Sequence, residues 1–67
     1  MTTSTTDNPQ VGDLVVKSTS MGTDLGIIRT IDQSVTTPYF VEWISGFFCG
    51  FTTGHCLDHV QQWRKNL

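Results

Sequence analysis

The sequence predicts a small all-β domain in which five short strands close into a single barrel. Apolar residues occur in short runs rich in valine, isoleucine and aromatic side chains, which is the pattern of strands. Glycine, proline and aspartate separate these runs, as expected for turns. The chain has 67 residues, enough for one domain. A four-stranded sheet would leave two open edges, and a fifth strand would remove them.

The first two strands are expected to follow a flexible tail. Residues 1–10 are rich in threonine and serine, so we place the folded domain at 11–67. The run VGDLVVK (11–17) predicts the first strand and LGIIRTI (25–31) the second. Gly26, inside the second strand, indicates a close backbone approach or a bend.

The third strand is the clearest, because YFVEWI (39–44) is aromatic or β-branched at almost every position. The dipeptide SG then predicts a tight turn, and FFCGFTT (47–53) would return as its hairpin partner. Alternation along these strands divides their side chains between two faces. The inward set is Val41, Trp43, Phe47 and Phe51, and an outer apolar strip consists of Phe40, Ile44 and Phe48.

The C-terminal segment, residues 54–67, fits two structures. Cys56, Val60, Trp63 and Leu67 have the spacing of one helical face, and the segment carries acidic charge early and basic charge late. Alternatively, a single helical turn at 55–58 followed by a strand at 60–64 would complete the barrel. We favour the barrel because it leaves no open edge. The alternative is an α+β fold with a four-stranded sheet and a C-terminal helix.

Four short motifs, in their order along the chain, resemble those of a known family of small barrels. GDLVV, GII, YFVEW-SG and CLDHVQ, read along residues 11 to about 63, resemble the small SH3-like β-barrels, including the KOW and Tudor types. Similar short chains are found among uncharacterised proteins of tailed bacteriophages. The resemblance implies a five-stranded barrel with a short 3₁₀ turn before its last strand. It implies no particular ligand, because the cage, basic-loop and paired-aromatic patterns of specific subfamilies are not matched.

Composition narrows the classes of function. The formal net charge is −2, from four basic and six acidic side chains, whereas nucleic-acid modules usually carry a basic excess. No apolar run approaches the roughly 20 residues needed to span a bilayer. The N-terminal residues have neither the basic nor the apolar region of a secretion signal. We therefore expect a cytoplasmic protein, in the host cytoplasm or the virion if the chain is phage-derived.

Four potential zinc ligands lie near the C-terminus, namely Cys49, His55, Cys56 and His59. Their spacing does not fit a structural zinc site, because six residues separate the cysteines and His55 directly precedes Cys56. We therefore predict no metal and no other cofactor, and interpret Cys49 as a buried thiol. The carboxylates are scattered and no nucleophile has an orienting partner, so we predict that the protein is not an enzyme.

The predicted function is a non-catalytic protein-interaction module. Three apolar side chains exposed together on so small a domain need a cover, which is either the chain's own C-terminal segment or a partner. The partner would be a host factor, another virion protein or a second copy of the chain, with no role for a membrane. The predicted contacts are Phe40, Ile44, Phe48, Trp63 and Tyr39.

Binding of single-stranded nucleic acid is the alternative function. Aromatic side chains would stack on bases and the few basic side chains would meet phosphates. The stacking candidates are Trp43, Tyr39, Phe47 and Phe48, and the phosphate candidates are Lys17, Arg29, Arg64 and Lys65. A zinc-stabilised adaptor is a further, minor alternative.

Overall fold

A computed structural model of the chain describes residues 8–65, and its architecture is α+β. Four antiparallel strands form one open sheet in chain order, and one helix follows them. The predicted five-stranded barrel is therefore wrong, and the alternative of a sheet with a C-terminal helix is correct. The elements are β1 (Leu14–Thr19), β2 (Gly22–Ile31), β3 (Tyr39–Ser45), β4 (Thr52–His55) and α1 (Leu57–Lys65).

Helix α1 forms where the barrel prediction placed a single turn and a strand. The helical spacing brings Val60 and Trp63 to one face, and both are buried. Asp58 lies in the first turn and the basic residues lie in the last, which the helix dipole favours. The helix contacts β1, and Trp63 reaches rings on β3 and β4, so α1 covers one face of the sheet. Leu67 lies outside the described residues.

The β1–β2 hairpin pairs Leu14 with Ile27 at one end and Thr19 with Gly22 at the other. Its turn is held by the Thr19 hydroxyl, which accepts from the Met21 amide at 3.1 Å and donates to the Gly22 carbonyl at 3.0 Å. Most of the predicted N-terminal tail, residues 1–7, lies outside the described residues. Within its last three residues, Pro9 is buried.

Gly26 does lie at a close approach, but side chains of the adjacent strand make it, not a backbone as expected. A Cβ atom there would lie 2.5 Å from Val41 Cγ1 and 2.8 Å from Trp43 Cε3 on the adjacent β3. Glycine therefore leaves room for the indole of Trp43 against β2. The β2–β3 ladder shifts register between Leu25 and Gly26.

The core lies between α1 and the face of the sheet that carries Trp43. Val41 and Trp43 point inward, as alternation predicts, and are almost fully buried. The indoles of Trp43 and Trp63 meet edge to face with ring centroids 5.5 Å apart. The buried hydrophobic side chains are Val15, Ile28, Tyr39, Val41, Trp43, Val60 and Trp63.

Residues 46–51 form a loop, here called the aromatic loop, where a tight hairpin turn was predicted. Two successive turns occur in it: the Cys49 amide donates to the Gly46 carbonyl at 3.2 Å, and the Phe51 amide to the Phe48 carbonyl at 2.9 Å. Strand β4 consequently begins only at Thr52.

Because the aromatic loop does not alternate like a strand, the predicted placements of four side chains are wrong. Phe47 and Phe51 were expected inside but are 72% and 63% exposed. Phe48 was expected in the outer strip but packs against the core. Cys49, interpreted as a buried thiol, is exposed, and its Sγ lies 3.3 Å from the Ile44 carbonyl oxygen.

Candidate binding site at the aromatic loop

A buried carboxylate anchors the aromatic loop to the sheet. Asp24 is only 4% exposed, and its Oδ1 accepts a hydrogen bond from the Phe47 amide at 2.7 Å. Gly46 beside it has φ of 98°, and a Cβ there would lie 2.7 Å from the Asp24 Cα. Glycine is required at this position both for its backbone conformation and for the contact. The loop is thereby held against β2.

The aromatic loop forms one wall of an apolar groove. Phe47, Phe48, Phe51 and Thr53 line it, and its volume is about 380 Å³. The rings of Phe47 and Phe48 meet edge to face, with centroids 5.1 Å apart and planes at 88°. Since Phe48 packs on the core, it fixes the position of Phe47. The groove thus presents two exposed aromatic rings on a supported base.

The ammonium of Lys17 lies among three aromatic rings beside this groove. Its Nζ is 5.1 Å from the ring centroid of Phe48, 5.9 Å from Trp43 and 5.7 Å from Trp63. Cation–π attraction of this kind holds a cation without neutralising it. Within residues 8–65, the ion pairs are Arg29–Glu42 and Arg64–Asp13, so no described carboxylate pairs with Lys17.

Behind the groove, Trp43, Thr53 and His55 form a chain of hydrogen bonds. Trp43 Nε1 donates to Thr53 Oγ1 at 2.8 Å, and the Thr53 hydroxyl lies in hydrogen-bond contact with His55 Nε2. The Thr53 oxygen accepts from the indole, which can only donate, and the hydroxyl then either donates its proton to His55 Nε2 or accepts a second hydrogen bond from it. The contact therefore fits either neutral tautomer of His55.

The surroundings of His55 disfavour its protonation. Burial, followed by the Lys17 ammonium and His59, lowers the pKa of His55 from 6.5 to about 4. The indole of Trp63 lies between the two histidines: its centroid is 4.6 Å from that of His55, and it stacks on His59 at 5.8 Å. The Lys17 ammonium and the imidazoles of His55 and His59 thus all lie near the indole of Trp63.

The residues predicted for protein contacts do not form one exposed strip. Tyr39 and Trp63 are in the core, whereas Ile44 is exposed. Phe40 is half-buried, and Phe48 has turned to the core side of the sheet. The structure therefore separates Phe48 from Phe40 and Ile44.

The residues predicted for nucleic-acid contacts also do not lie together on one surface. Trp43 is 1% exposed and has no free face for a base. Arg29 pairs with Glu42 at 2.6 Å, and Arg64 Nε lies 3.4 Å from Asp13 Oδ2. Lys65 is exposed, at the last position of α1. Lys17 is the phosphate candidate whose ammonium contacts a ring that lines the groove, that of Phe48.

Phe51 and Thr53 were not among the predicted site residues, although both line the groove. The sequence did contain a usable signal. Glycines 46 and 50 bracket the segment FFC, and both adopt positive φ, of 98° and 92°. Glycines at both ends of a short aromatic segment are more typical of a loop than of a regular strand.

Other kinds of site find little support in the part of the chain that the structure describes. Among residues 8–65, no group of three or more histidine, cysteine, aspartate or glutamate side chains is placed to hold a metal ion. Cys49 and Cys56 are both free. No helix in the same range is long and apolar enough to cross a membrane.

Comparison with known proteins found no relative of this chain. No protein-family model, curated protein or solved structure matched the chain. The resemblance to SH3-like barrels and to short phage proteins therefore stays an expectation from four motifs.

Proposed function

We propose that the aromatic loop binds single-stranded nucleic acid, with bases stacking on Phe47 and Phe51. The observation that supports this most is the pair of rings, 72% and 63% exposed, in a groove whose third phenylalanine, Phe48, lies 5.1 Å from the Lys17 ammonium, with which no described carboxylate forms an ion pair. Exposed aromatic rings next to a cationic group are the recurring parts of single-strand sites, because every base has a face that can stack.

Stacking, rather than charge, has to supply most of the affinity. Each stacked base contributes about 1–3 kcal/mol, so two rings give a weak site for a few nucleotides. Arg29 and Arg64 are each held by a carboxylate, so the described part of the chain offers no continuous basic track. Each phosphate contact changes the slope of log affinity against log salt by about −0.7 for a single strand. We therefore expect a shallow salt dependence.

The test is fluorescence anisotropy with a labelled oligothymidylate of about ten nucleotides, a length within the site sizes of single-strand binding modules. Phe47→Ala and Phe51→Ala should each weaken binding by about five- to a hundredfold, from the loss of one stacked base. Met21→Ala is the matched control, because Met21 is an 80% exposed apolar residue in the β1–β2 turn. Absence of binding, or equal affinity in all four proteins, would rule the proposal out.

A protein-interaction module is the second candidate, and the open sheet favours it. Strands β1 and β4 lie at the two ends of the strand order, so each has one side without a neighbouring strand of the sheet. A partner strand can add to such an edge through backbone hydrogen bonds, and an apolar groove can take its side chains. Light scattering distinguishes one version of this candidate: a dimer that Phe51→Ala converts to a monomer would indicate self-association through the groove.

A further inference from the structure

We propose that Lys17 and His55 together form the phosphate subsite of this groove, and that protonation of His55 tightens its hold on a phosphate. The inference rests on the proposed function, because the phosphate is that of a strand stacked on Phe47 and Phe51. It names the two side chains that contact the phosphate backbone of that strand, and it predicts that binding depends on pH.

Lys17 has the environment of a cation that lacks its counter-ion. Its stem runs over the same face of the sheet as Val15, two residues earlier in β1, and this carries the ammonium to the rings around Trp63. Those rings stabilise the charge but provide no hydrogen-bond acceptor oxygen. The side chain is half-buried, so one side remains open to solvent. A phosphate oxygen there would make a charge-assisted hydrogen bond.

His55 supplies the second donor. Its Nε2 contacts the Thr53 hydroxyl, and the protonated ring carries a second proton on Nδ1 that can be donated to a phosphate oxygen. Within residues 8–65, no acceptor is hydrogen-bonded to that Nδ1. The imidazole and the Lys17 ammonium both lie against the indole of Trp63, at 4.6 and 5.7 Å. Thr53, which holds the imidazole, also lines the groove.

The groups that face His55 come from every neighbouring element. Lys17 approaches from β1 and His59 from α1, and both oppose a further positive charge. Tyr39 is its ladder partner on β3. Asp24 on β2 is the ladder partner of Lys17, but its Oδ1 already accepts from the Phe47 amide. The cluster therefore carries an excess of positive charge once His55 is protonated.

A bound phosphate reverses this balance. It offsets the Lys17 ammonium and attracts the imidazolium directly, so the pKa of His55 rises above its value of about 4 in the free protein. Coupling between sites is reciprocal, so whatever raises the proton affinity of His55 is itself bound more tightly when His55 is protonated. Affinity should therefore increase as the pH falls toward the range in which His55 titrates.

The experiment follows the His55 imidazole by NMR across the pH range, with no ligand, with inorganic phosphate, and with the unlabelled oligothymidylate. His59→Gln assigns the two histidine resonances. We expect the midpoint for His55 to move to higher pH with ligand. Movement with the oligonucleotide alone supports a subsite that needs stacked bases. Movement with inorganic phosphate alone supports the subsite with free phosphate as its ligand.

Binding isotherms provide the second readout. Between pH 7.5 and about 5, the wild type should gain about two- to fivefold more affinity for the oligonucleotide than His55→Gln, as the coupling of one proton allows. Lys17→Met keeps the aliphatic stem and should reduce the salt slope by about 0.7. Circular dichroism at each pH confirms that the variants remain folded.

The outcomes separate the two proposals. If oligonucleotide binding depends on Phe47 but the His55 midpoint stays in place and Lys17→Met leaves the salt slope unchanged, the subsite is refuted and the proposed function stands. If inorganic phosphate moves the midpoint but no oligonucleotide binds, the proposed function fails and the subsite stands. If neither ligand moves the midpoint, the subsite is refuted.

Discussion

Acidification should destabilise this protein through His55. The loss of stability follows from the shift in the pKa of this residue between the unfolded and the folded chain. The pKa of His55 is lowered from 6.5 to about 4 in the folded chain, so the unfolded state binds the proton more tightly. Stability is therefore complete above about pH 6.5 and decreases as the pH falls toward 4. The full linkage would be about 3 kcal/mol. Because the ring is only half-buried, we reduce this to about 1–2 kcal/mol.

The assay is urea unfolding at pH 7.5, 5.5 and 4.5, followed by the fluorescence of the buried Trp43 and Trp63. His55→Gln removes the titrating group, and the difference between the two pH profiles removes the contribution of the carboxylates. Met21→Ala is the control, since Met21 is 80% exposed and its side chain carries no titrating group. We expect the wild type to lose about 1–2 kcal/mol more than His55→Gln over this range. Parallel profiles for the two proteins would refute the reasoning.

Two further predictions concern glycines with close neighbours. Gly26→Ala should lower the free energy of unfolding by about 1–3 kcal/mol, because its Cβ would lie 2.8 Å from Trp43 Cε3 in a packed core. Urea unfolding measures this loss, and an unchanged midpoint would contradict the contact. Gly46→Ala should displace the aromatic loop, because its φ is 98° and its Cβ would meet Asp24. We expect it to weaken oligonucleotide binding about as much as Phe47→Ala, and wild-type affinity would contradict this role for the loop.

Much of the fold could be predicted from local pattern. The β-branched and aromatic runs located β1, β2 and β3, and Gly26 indicated a close approach, although side chains rather than a backbone make it. The spacing of Val60 and Trp63 also indicated a helix. The barrel was preferred over that pattern because open edges are unfavourable. The local signal was the better guide, since burying both side chains against the sheet requires a helix.

The site was harder to predict because it depends on contacts between distant segments. Alternation assumed that residues 47–53 are extended, and the two turns of the aromatic loop reverse which phenylalanines are exposed. The buried Asp24 has no local signature: it is buried because the Phe47 amide, 23 residues later, meets it. The pairing of Arg29 with Glu42 likewise becomes visible only when β2 and β3 are in register.

The C-terminal helix connects the fold to the proposed function. A strand at 60–64 would have sent Val60 and Trp63 to opposite faces, since they are three residues apart. In α1 the same spacing puts both on one face, so the residue next to Val60 in the core is also the indole shared by Lys17 and His55. The packing of α1 on the sheet therefore also places Lys17 and His55 against the same indole. At a pH low enough to protonate His55, a ligand at the groove should therefore stabilise the docking of α1, since its phosphate would offset the charges of Lys17 and His55 that otherwise repel beside Trp63.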